Sequence, residues 1–159
     1  MNDARFEDAA DAPLRLIAQD AEGVSVLSSL LQDAVFPATE MTYAPRRRRF
    51  ALLLNRFRWE DREAAECARR GYERVQSLLV FEDVLSVKTQ GIDRAGGDSV
   101  LSLLHIAFTP GPEGSGRVDL TLAGDGAIAL QVEALDATLQ DVTQPYLAPS
   151  GKVPAHEGT

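Results

Sequence analysis

Cysteine is nearly absent, with Cys67 alone among the 159 residues. A lone thiol closes no internal disulfide, and such scarcity suits a reducing compartment. Histidine is almost as rare, at His105 and His156. No zinc-type spacing of thiols and imidazoles can be built from that set, and no Ser-His-Asp arrangement is justified. Lysine falls to two against fourteen arginines. No apolar run approaches the ~20 residues needed to cross a bilayer as a helix. The first eleven residues lack the basic start and apolar stretch of a signal peptide, carrying Asp3, Glu7, Asp8 and Asp11 against Arg5. These absences argue against secretion, membrane insertion and metal stapling, and they point to the cytoplasm.

What remains is an ordinary globular composition, 45% apolar and 25% charged. A chain this long can bury roughly 68–70% of its unfolded surface, enough for one domain without covalent staples. The charge is uneven. The net charge of −8 disfavours duplex DNA and anionic membranes. Yet ten arginines and five acids lie between Arg46 and Arg74, a local surplus of five positive charges.

Along the chain, residues 1–12 and 147–159 read as mobile tails around a single domain, 13–146. Leu14 to Ala18 is a short strand candidate. Asp20 reads as an N-cap for a helix over 20–35, whose stripe is Val24, Leu27, Leu30, Leu31, Ala34 and Val35. Strands follow at Met41–Ala44 and Arg48–Trp59, the second with apolar residues on both faces. Its Arg56 and Arg58 share one face, expected to emerge into solvent. Glu60–Arg70 predicts a short surface helix with Ala64, Cys67 and Ala68 inward and Gly71 as its left-handed stop. Further strands are expected at 75–81, 84–89 and 100–108. A hairpin runs from 118–122 to 128–132 across Gly124-Asp125-Gly126. Leu135, Leu139 and Val142 predict a closing helix over about 133–142. The fold class expected is α+β. It combines a mainly antiparallel curved sheet or partly open barrel of six to eight strands, an N-terminal helix, and a C-terminal helix packed on the sheet. By topology alone that order is like a pleckstrin-homology-like barrel, which implies no function.

Several strings resemble a known family when taken together. They are Leu16-Ile17-Ala18-Gln19-Asp20, the Arg46–Arg49 run, Tyr72-Glu73-Arg74-Val75, Val84-Leu85-Ser86-Val87 leading to Gly91-Ile92-Asp93, and Ala134-Leu135-Asp136. The chain is similar to an uncharacterised bacterial family, domain-of-unknown-function family 2948, over about residues 13–156. The resemblance implies a small cytoplasmic bacterial protein. It carries no reaction and assigns no residue a role.

The chemistry-bearing candidates are few. Gly111 to Gly116 is glycine-rich, but a β-alternating run follows where a phosphate loop needs a helix, so it reads as a connection. His105 reads as a satisfied or half-exposed strand residue and Cys67 as a small filler. The feature with weight is Arg46, Arg47, Arg48 and Arg49, joined by Arg56 or Arg58, read either as a binding surface or as a solvated strand end whose charge protects an edge. Guanidinium forks suit carboxylates and phosphates. The expected function is that of a non-catalytic binding or accessory protein whose arginine surface contacts an acidic protein or a small anion. A small enzyme with a cleft invisible in sequence is the alternative. RNA, with Phe57, Trp59 and Tyr72 as stacking residues, ranks third. No cofactor and no metal is implied, and the oligomeric state is left open.

Overall fold

The computed structural model describes residues 13–92 and 99–147. The expected tail over 1–12 and, apart from Leu147, the expected tail over 147–159 with His156 lie outside the described residues; Leu147 pairs with Glu73 in a short strand. Among the described residues, eleven antiparallel strands form one open sheet. They are β1 (Arg15–Ala18), β2 (Val35–Pro37), β3 (Met41–Ala44), β4 (Arg49–Phe57), β5 (Glu73–Phe81), β6 (Val84–Gln90), β7 (Val100–Pro110), β8 (Gly116–Leu122), β9 (Ala127–Val132), β10 (Ala137–Asp141) and β11 (Tyr146–Leu147). The order is β1-β10-β5-β4-β2-β7-β8-β9-β6, with β3 beside β4 and β11 beside β5. Two short α-helices, α1 (Ala21–Leu30) and α2 (Arg62–Cys67), and three single-turn 3-10 segments complete the described elements.

The expected class, six to eight strands closed by two helices, is therefore corrected. The sheet is larger, and residues 133–142 are not a helix. They form a turn followed by β10, which lies between β1 and β5 in full register, Leu139 facing Leu16 on one side and Leu79 on the other. The spacing of Leu135, Leu139 and Val142 mimics a helical stripe. The period that folds is two, and it buries Ala137, Leu139 and Asp141. A strand in that slot satisfies its backbone groups from both neighbours, which a helix laid over the sheet cannot do for β1 and β5. Without a closing helix, the comparison with a pleckstrin-homology-like barrel falls as well.

Helix α1 begins as expected, with the Asp20 carboxylate accepting the Gly23 N–H at 2.7 Å. It ends five residues early. Asp33 adopts a positive φ, and its N–H donates to the Leu103 carbonyl at 2.8 Å. Leu103 returns the bond to Ala34 at 2.8 Å. Pairing with β7 thus captures residues that the apolar stripe had assigned to the helix. Helix α2 is shorter than expected too, and Ala65 is the residue it buries. Arg69 supplies the left-handed stop that Gly71 was expected to make.

The β8–β9 hairpin is where it was expected, with Val118, Leu120, Leu122, Ile128, Leu130 and Val132 all buried. Its positive φ values fall on Gly124 and Asp125, one residue before the Asp-Gly pair. β5 and β6 are joined by the turn at Glu82-Asp83 although they stand far apart in the strand order. The sheet therefore curls until one face from both halves shares a single core. Leu52, Leu54, Leu79 and Phe81 join Leu103, Ile106, Leu120 and Leu130 there, with Leu27 and Leu31 of the α1 region.

Candidate functional site

The six arginines singled out in the sequence separate into two places. Arg46, Arg47 and Arg48 form the turn between β3 and β4, and Arg49 opens β4. The turn closes through Arg47 N–H to Ala44 O and Arg48 N–H to Pro45 O, each 3.1 Å, with Arg48 at a positive φ. Arg46 and Arg47 are exposed and have no ion-pair partner among the described residues. Arg48 pairs with Glu133, whose hydrogen bond and charge raise the pKa of its guanidinium. The Arg49 Nε lies 3.1 Å from both Glu82 oxygens. The second half of the run is thus tied to the β5–β6 turn and to the residue that follows β9, while its first half is displayed.

Arg56 and Arg58 do not emerge into solvent. Arg56 is fully buried and Arg58 is 6% exposed. Arg56 sits on the core-facing side of β4 after Phe50, Leu52 and Leu54, a position that periodicity alone marks as apolar. Its fork lies between two carboxylates. Nε and Nη2 reach Asp141 Oδ1 at 3.2 and 3.0 Å, and Nη2 reaches Oδ2 at 3.1 Å. Nη1 and Nη2 reach the Glu60 oxygens at 2.8 and 2.9 Å. Burial works against the charge on Arg56, yet Glu60 and then Asp141 outweigh it and hold its pKa above the ordinary arginine value.

Asp141 is satisfied from every side. The Ser77 hydroxyl donates to Oδ1 at 2.7 Å and the Leu14 N–H to Oδ2 at 3.0 Å. Register explains the meeting: Ser77 of β5 faces Asp141 of β10 on one side and Leu54 of β4 on the other. Arg58 donates to Glu73 and lies within 4 Å of Glu60 and Asp61. Arg70 grips Asp61 with two bonds of 2.7 and 2.6 Å. That grip is the main cause that lowers the Asp61 pKa. Four carboxylates thus face three guanidiniums, and the network carries one negative charge in excess. An open cavity of about 350 Å³ borders it, lined by Pro13, Arg58, Glu73, Asp141, Thr143, Gln144 and Pro145.

The remaining candidates are placed as follows. Phe57 is buried, while Trp59 and Tyr72, whose rings lie 4.7 and 5.7 Å from it, are half-buried. Trp59 donates its indole N–H to the Gln32 carbonyl at 3.0 Å. His105 is an exposed residue of β7 whose Nδ1 lies 3.2 Å from the Ser28 hydroxyl. Ser28 also accepts the Ile106 N–H at 3.0 Å beside a bulge in β7, which gives the hydroxyl a structural task. Cys67 is exposed and so is not the apolar filler expected. Gly111 to Gly116 closes the β7–β8 hairpin with no helix after it. Among the described residues, no group of three or more His, Cys, Asp or Glu is placed to hold a metal ion. Among the described residues, no helix is long and apolar enough to cross a membrane.

Sequence reasoning missed Asp141, Ser77, Glu60, Asp61 and Glu73 as partners of the buried arginines, and Arg70 as the cation that grips Asp61. Glu60, four residues after Arg56, and Asp61, three after Arg58, lay within local reach. Asp141 stands 85 residues away.

The structure defines a sheet-dominated antiparallel domain with one arginine set buried in ion pairs and another displayed on a hairpin tip. Residues 14–156 match the family described as "Protein of unknown function (DUF2948)", and the chain belongs to that family. No curated protein and no solved structure matches it.

Proposed function

We propose that this chain is a non-catalytic binding or accessory protein of the cytoplasm, and that it contacts an acidic protein through the β3–β4 tip. One observation carries the reading. Arg46 and Arg47 stand exposed side by side with no ion-pair partner among the described residues, on a turn tied down by Arg48–Glu133 and Arg49–Glu82. Preorganised guanidinium forks suit carboxylates, and charges at a rim act mainly on association rate and salt dependence. Arg56 and Arg58 drop out of the contact surface, because carboxylates of the chain itself already occupy their donors.

The test uses a fluorescent polyglutamate peptide and the doubly substituted Arg46→Ala/Arg47→Ala protein. The wild type is expected to bind the peptide, and the variant to bind it several-fold more weakly at unchanged melting temperature. Exposed charges contribute below ~1 kcal/mol per pair to folding, so the fold should tolerate the change. Binding should fade with salt as the Debye length shrinks from about 10 Å at 0.1 M to about 3 Å at 1 M. Equal binding by both proteins at low salt would refute the reading.

A further inference from the structure

We infer that the cavity beside the buried network is a binding site for a small organic cation, an alkylammonium group carried on a short apolar stem. The inference is independent of the hairpin tip, which lies at the other end of β4. Its starting point is the chemistry of the walls. Arg58 and Asp141 are 6% and 5% exposed at the side chain, while Glu73, Thr143 and Gln144 complete the polar lining. Pro13 and Pro145 add two saturated rings. A few fixed polar groups beside apolar surface in a concave site of a few hundred Å³ are the usual make-up of a small-molecule pocket.

Charge selects the ligand. In the sequence, Arg56 and Arg58 suggest an anion. In the fold their charge is more than cancelled by Asp141, Glu60, Asp61 and Glu73. The lining itself holds two carboxylates and one guanidinium, so an anion entering it meets Glu73 and Asp141. The field of the whole molecule, at net −8, acts in the same direction. Asp141 is occupied by Arg56, Ser77 and Leu14, which makes it a fixed negative wall. Glu73 is the more accessible carboxylate and the one placed to accept an ammonium N–H. Thr143 and Gln144 supply neutral acceptors for the remaining ammonium protons. The methylene stem then lies against the proline rings.

The probe is n-butylammonium, with butyrate and 1-butanol as anionic and neutral counterparts of the same length, titrated into the ¹⁵N-labelled protein. Expected are saturable amide shifts confined to the strand and turn around Glu73 and to Thr143 and Gln144, with butylammonium only. Glu73→Gln should weaken that binding about tenfold, the equivalent of 1.4 kcal/mol. Because Glu73 also pairs with Arg58, a second variant guards against a folding effect. Gln144→Lys, at an exposed position, brings a competing cation to the rim and should abolish butylammonium shifts at unchanged melting temperature. Butyrate or butanol binding as tightly as butylammonium would overturn the inference. So would the absence of saturable shifts at millimolar probe, or butylammonium shifts that persist in Gln144→Lys.

Discussion

Replacing Arg56 by methionine tests the buried network most directly. The substitution keeps a long unbranched stem in place and removes the charge. Asp141 is then left 5% exposed opposite an apolar side chain. Removing one partner of a buried ion pair costs 3–5 kcal/mol, because the other charge stays desolvated without compensation. Two features place this case at the lower end. Asp141 keeps the Ser77 hydroxyl and the Leu14 N–H, and the lost Glu60 contact involves a side chain that is 32% exposed and partly screened. About 3 kcal/mol is therefore expected, and with roughly 3–4 °C per kcal/mol for a domain of this size the melting temperature should fall by about 10 °C. The companion variant Arg56→Met/Asp141→Leu should recover much of that loss, since removing both charges removes the desolvation penalty with them. Denaturant melts of the wild type, both single variants and the double variant form a cycle whose coupling should exceed about 1 kcal/mol. A drop of less than about 3 °C in Arg56→Met, or strictly additive single effects, would show that the pair contributes nothing to the fold and would refute the reasoning.

Leu139 is fully buried on β10, so Leu139→Ala should cost about 2–5 kcal/mol, and an unchanged denaturant midpoint would contradict its place in the core. Asp61 is held below the ordinary carboxylate range chiefly by Arg70, so its contribution is present above the unfolded-state pKa of about 3.9 and is lost as the pH falls through the lower folded value. Denaturation measured at pH 6 and near pH 3 should show that loss in the wild type, and Arg70→Ala should flatten it. Gly116→Ala should destabilise by about 1–3 kcal/mol, because a Cβ there would lie 2.5 Å from the Phe108 ring and the Thr109 carbonyl; a neutral melt would argue against that close approach.

Much of the architecture was legible locally. The β8–β9 hairpin shows itself because one face is buried and the other is not, so two-residue alternation is written directly into residue types. The start of α1 shows itself because Asp20 and the apolar stripe act within one turn of each other. The end of α1 and the identity of 133–142 did not. Short apolar spacings fit two periods at once, and pairing with β7 in one case and with β1 and β5 in the other decided between them.

The arginines divide along the same line. Composition alone determined that a cationic stretch exists between Arg46 and Arg74 in an acidic chain, because charge counts need no fold. Which of those charges meet solvent was settled only by the tertiary structure. On β4 an even-numbered arginine follows three buried apolar residues, and local rules place such a charge at the strand's exposed end. It is buried because β10 carries Asp141 to the same level of the sheet, in register with Ser77. An ion pair between residues 85 apart depends on strand order, and strand order is a property of the whole sheet that no window of sequence contains.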